Sequence, residues 1–228
     1  MKEELLHGHA ATAHGADPGL SRRKFFGITG GLVAASFLVD ACKKKDDSGI
    51  NLGSGDIGIL NYAYALEQLE AAFYTQVAAT PYSGITANET ALLTDIRDHE
   101  VAHREFFKSA LGSNAIPALS VDFSSITFSS RDSVLAAAKA FEDLGVSAYN
   151  GAGKLLVSPD YLLLAGKIVS VEARHAAYIR DIISAGTFAD SSVIDANGLD
   201  KSRTPQEVLA IAGTYVKSKL NASNLPTS

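Results

Sequence analysis

Two short motifs in this chain combine side chains that bind metals. Residues 100–103 read Glu100-Val101-Ala102-His103, and residues 172–175 read Glu172-Ala173-Arg174-His175. On a helix, positions i and i+3 share a face and lie about 4.5 Å apart along the axis. A carboxylate and an imidazole spaced in this way can meet one ion, and two such motifs on facing helices can hold a pair. Only three of the six histidines follow residue 50, namely His99, His103 and His175, and two of them stand in Glu-x-x-His. His99 sits one position off the metal face and is expected at the surface.

Two more glutamates complete the pattern. Glu67 is followed seven residues on by Tyr74, and Glu142 seven residues on by Tyr149. Seven residues is close to two helical turns, so each Glu and Tyr share a face. The chain therefore reads as a duplicated helix pair, Glu…Tyr then Glu-x-x-His, twice over. Glu67 lies in an apolar stripe with Leu60, Ala63, Tyr64 and Ala71, and Glu142 in one with Leu135, Ala138 and Val146. Lys139 interrupts the second stripe and is expected to snorkel outward. Glu70 competes with Glu67, and the spacing to Tyr74 favours Glu67. Tyr74 and Tyr149 are either plain core aromatics or hydroxyl donors to a ligand carboxylate. Arg104 and Arg174 adjoin the histidines in sequence but point away from them on a helix. Carboxylates in apolar stripes are costly to bury ionised unless paired or metal-bound. Four glutamates would cancel two divalent ions, with two neutral imidazoles completing the set. Oxygen-rich ligation with some nitrogen suits iron or manganese, whereas structural zinc prefers closed sets of Cys and His.

These residues need helices to position them. The periodicity predicts a first helix capped by Asp56 and running to about Ala79. Thr86 and Glu89 have capping-box spacing for a second, ending near Leu111 before Gly112. A third starts near Arg131 and runs to about Leu156. Ser158-Pro159 opens a fourth, which ends near Ala185-Gly186. The short links make each pair antiparallel, and the long link, residues 113–130, must cross the bundle. Thr204-Pro205-Gln206-Glu207 starts a short fifth helix expected to reach about Leu220, and the tail from Asn221 is expected to be loose. The fold class is all-α, a four-helix bundle with one long crossover and a short C-terminal fifth helix.

Composition agrees. The 228 residues carry a formal charge of -5, with six prolines and no tryptophan. The mild acidity argues against nucleic acid as a partner. No Gly-rich phosphate loop or Ser-His-Asp constellation stands out.

With these motifs in place, residues 56–186 resemble the ferritin-like superfamily. The phrase Leu66-Glu67-Gln68-Leu69-Glu70-Ala71-Ala72-Phe73-Tyr74 is similar to the first helix of its desiccation-associated branch, as is the segment Ile194-Asp195-Ala196-Asn197-Gly198-Leu199-Asp200. The resemblance implies two iron or manganese ions held by Glu67, Glu100, His103, Glu142, Glu172 and His175, with Glu100 and Glu172 as bridges. Such pairs, about 3.5–4 Å apart, can exchange electrons with oxygen or peroxide. Manganese would suit peroxide disproportionation, as in the manganese catalases. Iron would suit ferrous oxidation or peroxide removal. The alternative is a non-catalytic envelope protein for stress or desiccation, with a structural or relic metal site. A homodimer is compatible with the sequence; a closed ferritin cage fits the extra loop and fifth helix poorly.

The N-terminal segment reads as an address. Ser21-Arg22-Arg23-Lys24-Phe25-Phe26 and the apolar run that follows resemble a twin-arginine export signal, with Arg22 and Arg23 as the paired arginines. The run is shorter than the about 20 residues of a membrane-spanning helix. Val39-Asp40-Ala41-Cys42 resembles a lipobox, which makes Cys42 the lipidated residue and the membrane a partner through the lipid. The expected organisation is a signal over 1–41, a flexible tether over 42–55, the bundle over 56–186, and a C-terminal loop and fifth helix over 187–228. The mature protein is expected in the periplasm or at the cell surface, anchored by lipid.

Overall fold

The computed structural model describes residues 49–227. Arg22, Arg23 and Cys42 lie outside the described residues. Four long helices dominate: α1 (Gly55–Ala79), α2 (Ala87–Leu111), α3 (Arg131–Gly153) and α4 (Pro159–Ile183), followed by a short α5 (Pro205–Ala212). Two two-residue strands, β1 (Ile50–Asn51) and β2 (Leu220–Asn221), pair in parallel. The described part is thus an all-α bundle. Among the described residues no helix is long and apolar enough to cross a membrane.

Local chemistry sets most helix ends. In the capping box of α2, the Thr86 hydroxyl accepts from Glu89 N at 3.1 Å, and the Glu89 carboxylate accepts from Thr86 N at 3.0 Å. Ser130 and Ser158 cap α3 and α4, and Pro159 occupies the first turn of α4. The start of α1 differs from expectation. Ser54 is its N-cap, and Asp56 lies within the first turn. The Asp56 carboxylate instead accepts from Val157 N and Ser158 N, at 2.8 and 2.9 Å. It ties the start of α1 to the link between α3 and α4. That link begins earlier than periodicity suggested, because α3 stops at Gly153.

α1 packs along α2, α3 packs along α4, and α1 meets α3. The backbones of α2 and α4 hardly approach each other; side chains bridge that face. α1 is the central helix, with every residue from Gly58 to Ala71 buried. Two of its polar side chains, Asn61 and Gln68, serve backbone groups of the segments before α1 and across the bundle. Asn61 donates to Leu52 O and Asn114 O and accepts from Ile116 N, at 3.0, 2.9 and 2.9 Å. Gln68 accepts from Leu119 N at 2.8 Å. Buried backbone groups of a loop need such partners. Phe73 anchors an aromatic cluster with Phe123, Phe128 and Phe141.

The C-terminal region corrects three expectations. α5 ends at Ala212 instead of Leu220, because residues 215–217 pair with the crossover. Asp122 N donates to Tyr215 O at 2.7 Å, and Lys217 N to Ser120 O at 2.8 Å. The tail is not loose over its described length: β2 pairs with β1, and Leu225 is buried in the core. For the same reason the end of the expected tether belongs to the fold, since β1 lies in it and Leu52 is fully buried. Docking of the segment that leads into α5 depends on a small residue. A Cβ on Gly151 would stand 1.7 Å from Arg203 O, so α3 and residue 203 touch backbone to backbone. Arg203 N also donates to Ser147 O at 2.9 Å.

Candidate metal centre

The six residues singled out by spacing converge between the four long helices. Glu67 comes from α1, Glu100 and His103 from α2, Glu142 from α3, and Glu172 and His175 from α4. They form two overlapping sets, Glu67-Glu100-His103-Glu172 and Glu100-Glu142-Glu172-His175, each with ligand atoms within 4.8 Å of one another. Glu100 and Glu172 belong to both sets. The glutamates are at most 1 % exposed.

The arrangement has an approximate two-fold relation. His103 Nδ1 lies 2.8 Å from Glu172 Oε1 and 3.5 Å from Glu67 Oε2. His175 Nδ1 lies 3.0 Å from Glu100 Oε1 and 3.5 Å from Glu142 Oε2. Each histidine thus faces the bridging-position glutamate of the other motif and the single glutamate of its own half. The tyrosines cross between halves. Tyr74 on α1 donates to Glu142 Oε1 on α3 at 2.5 Å, and Tyr149 on α3 donates to Glu67 Oε1 on α1. Each hydroxyl takes one carboxylate oxygen and leaves the other facing the histidine.

Those remaining oxygens are the reason to test the site for a metal. Glu67 Oε2, both oxygens of Glu100, Glu142 Oε2, Glu172 Oε1 and His103 Nδ1 are buried without a well-formed hydrogen bond. A buried carboxylate oxygen without a donor costs free energy, and a buried ionised one costs more. Here five such oxygens and one imidazole nitrogen point into one space. Carboxylate oxygens with two imidazole nitrogens are the donor set of iron or manganese, so the residues fit a pair of these ions.

Without metal, protons must do part of that work. Burial alone would lower the histidines. Close contact with the surrounding glutamates overrides it and holds His103 and His175 at about 12. Burial also pushes up the acids. Glu142 is raised to about 8, chiefly by burial and then by the charge of Glu100, against the neighbouring His175. Glu67 is raised well above the usual range by burial and the charge of Glu172. Glu100 goes the other way. Burial opposes its ionisation, but the two histidines beside it bring it down to about 2.

Two residues near the site were placed elsewhere by spacing alone. His99 is exposed, as expected, yet its ring stacks on His175 and its Nδ1 lies 2.9 Å from His175 Nε2. It thus holds the ring nitrogen of His175 that faces away from the carboxylates. The available signal was composition: all three histidines among the described residues meet here. Glu70, set aside in favour of Glu67, is buried one turn along α1. Burial, then the charges of Glu100, Glu172, Glu142 and Glu67, push its carboxyl well above the usual range. Lys139 leaves the core, and its charge acts on Asp190. Arg104 pairs with its neighbour Glu105, and Arg174 is exposed.

The described fold and this cluster agree with one comparison. A family model described as a ferritin-like domain matches residues 55–185. No curated protein matches the chain.

Proposed function

Because this chain belongs to the ferritin-like domain family, we propose that it is an exported protein that holds two iron or manganese ions and uses them for redox chemistry on peroxide or oxygen. The observation that carries this reading is the convergence of unbonded carboxylate oxygens and two histidine Nδ1 atoms in two overlapping sets. Glu67, Glu100, His103 and Glu172 would hold one ion, and Glu100, Glu142, Glu172 and His175 the other. Bound iron or manganese supplies the electrons exchanged with the oxidant.

The protein's own groups have distinct tasks. The Tyr74 and Tyr149 hydroxyls fix the orientation of Glu142 and Glu67, so each presents one oxygen to the site. Packed helices α1 and α3 close the inner side. The α2–α4 side is where a small oxidant enters, since those backbones stand apart and the His103 side chain is 14 % exposed. His99 on that side orients His175. The likeness of residues 66–74 to the desiccation-associated branch favours a stress-protective role. The twin arginines at Arg22 and Arg23 and the lipobox at Cys42 favour export and lipid anchoring in the envelope.

The test is metal content and turnover on residues 43–228. The wild-type protein should carry about two iron or manganese ions per chain, and a variant with Glu100, His103, Glu172 and His175 all changed to Ala should carry none. Loaded protein should consume peroxide or oxygen faster than the same concentration of free metal. Metal without turnover would favour the non-catalytic envelope role, and a folded protein that takes up neither ion would reject the metal centre.

His99 gives a finer prediction. Residues that orient a ligating histidine typically contribute about 10–100-fold to metal affinity. His99→Ala should therefore weaken one of two manganese-binding steps, the one served by His175, by about tenfold and leave the other unchanged. Calorimetric titration separates the two steps; equal weakening of both would show that His99 does not act through His175.

A further inference from the structure

On the inner helices the two halves of the site share a Glu and a Tyr and differ between them. Glu67 and Tyr74 on α1 correspond to Glu142 and Tyr149 on α3, seventy-five residues later in each case. The same step takes Glu70 to Gly145. These two positions face each other. A Cβ built on Gly145 would lie 3.1 Å from Glu70 Oε1.

The helix register explains why these two positions crowd each other. α1 and α3 run antiparallel, with Tyr149 bonded to Glu67 at one end of the contact and Tyr74 bonded to Glu142 at the other. Glu70 and Gly145 lie between these bonds. The two-fold relation that exchanges the bonds also exchanges Glu70 with Gly145, so both stand at the local axis. A side chain at position 145 would press on the Glu70 carboxylate. Glu opposite Gly leaves one carboxylate on the axis, related equally to both halves of the site. Glu70 is 4 % exposed. The charges that act on it most are Glu100 and Glu172, the residues shared by both sets.

A fifth carboxylate is one more than two divalent ions need. Glu67, Glu100, Glu142 and Glu172 already balance four positive charges. A pair of trivalent ions carries six, which leaves two unbalanced in a buried space where each unit of charge is costly. We propose that Glu70 is a further carboxylate of the metal centre, standing on its local two-fold axis and selecting ions of higher charge. This rests on the metal reading above. It predicts that Glu70 contributes little to divalent binding and much to trivalent binding.

The experiment compares manganese(II) with gallium(III), a trivalent ion that does not change oxidation state, on wild type and Glu70→Gln. The Gln side chain keeps the shape and removes the charge. Glu70→Gln should still bind two manganese ions with affinity close to wild type, and should hold gallium at least about tenfold more weakly. Its metal-free form should melt no lower than wild type, because a buried acid among four other carboxylates has been replaced by a neutral group. Moving the carboxylate across the axis, with Glu70→Gly and Gly145→Glu together, should restore the hold on gallium. A Glu70→Gln protein that melts lower and binds both ions equally less well would make Glu70 a packing residue and overturn the proposal. Unchanged gallium binding would also overturn it. Wild type that binds neither ion would instead reject the metal centre, and this role with it.

Discussion

Two bound manganese or iron ions should raise the melting temperature by more than about 15 °C near neutral pH and reverse the way stability depends on pH. The size follows from linkage. An ion present at a thousandfold its dissociation constant adds about 4 kcal/mol per site. A domain of this size moves by about 2–4 °C for each kcal/mol. The sign comes from the protons that metal displaces. In the metal-free fold, Glu142 is raised from 4.5 to about 8, and His103 and His175 from 6.5 to about 12. Glu67 and Glu70 are raised in the same direction. A group raised on folding binds its proton more tightly in the folded state. Its contribution is complete below the unfolded value and is lost as pH rises through the folded one. Metal-free protein should therefore lose stability from about pH 5 upward, through about pH 8 for Glu142 and on toward about pH 12 for the two histidines. Glu100, lowered to about 2, acts oppositely, and its contribution is lost only as pH falls below the ordinary carboxylate range. With metal present, the ions take the places of those protons, so affinity and stability grow as protons become scarce. Thermal melts at about pH 6 and about pH 8, with chelator and with manganese, should show curves that diverge with pH. Metal-free stability that rises over this interval would contradict the buried, protonated cluster.

The second large effect lies outside the candidate metal centre. Arg180, in the last turn of α4, is 3 % exposed. Asp143 on α3 accepts from its Nε and Nη2 at 2.8 and 2.9 Å. Asp190, Ser192 and Thr187 O take its remaining donors. One guanidinium thus fastens α3, α4 and the loop after α4. Asp143→Ala removes the bidentate partner and leaves a buried cation short of its main countercharge. The expected cost is about 3–5 kcal/mol in chemical denaturation. Replacing both charges, with Asp143→Leu and Arg180→Met, should recover most of the loss, because a well-packed apolar pair can substitute for a buried ion pair. If the single variant costs less than about 1 kcal/mol, Arg180 has reached water, and the fastening role is wrong. Metal content should stay the same in both variants, since neither residue belongs to the two ligand sets.

Much of this protein was legible before any tertiary structure. Helical spacing, capping boxes and Gly112 marked four long helices, and their links set the antiparallel pairs. These features were readable because they are local: i to i+3 and i to i+4 relations follow from the helix alone. The same locality, with an internal repeat, drew attention to Glu67, Glu100, His103, Glu142, Glu172 and His175, which do converge.

Tertiary structure decided what depends on how distant segments meet. Tyr74 bonds the glutamate of the other half, not of its own, because antiparallel α1 and α3 bring the hydroxyl of one beside the carboxylate of the other. His99 lies against His175 through the side-chain contact between α2 and α4, which no spacing within α2 encodes. α5 is short because the crossover claims the backbone of residues 215–217. Glu70 was set aside on spacing, and only its facing position across from Gly145 revealed room for a carboxylate there. Periodicity states which face of a helix turns inward; it does not state which residue of another helix stands opposite, because that register is set by packing.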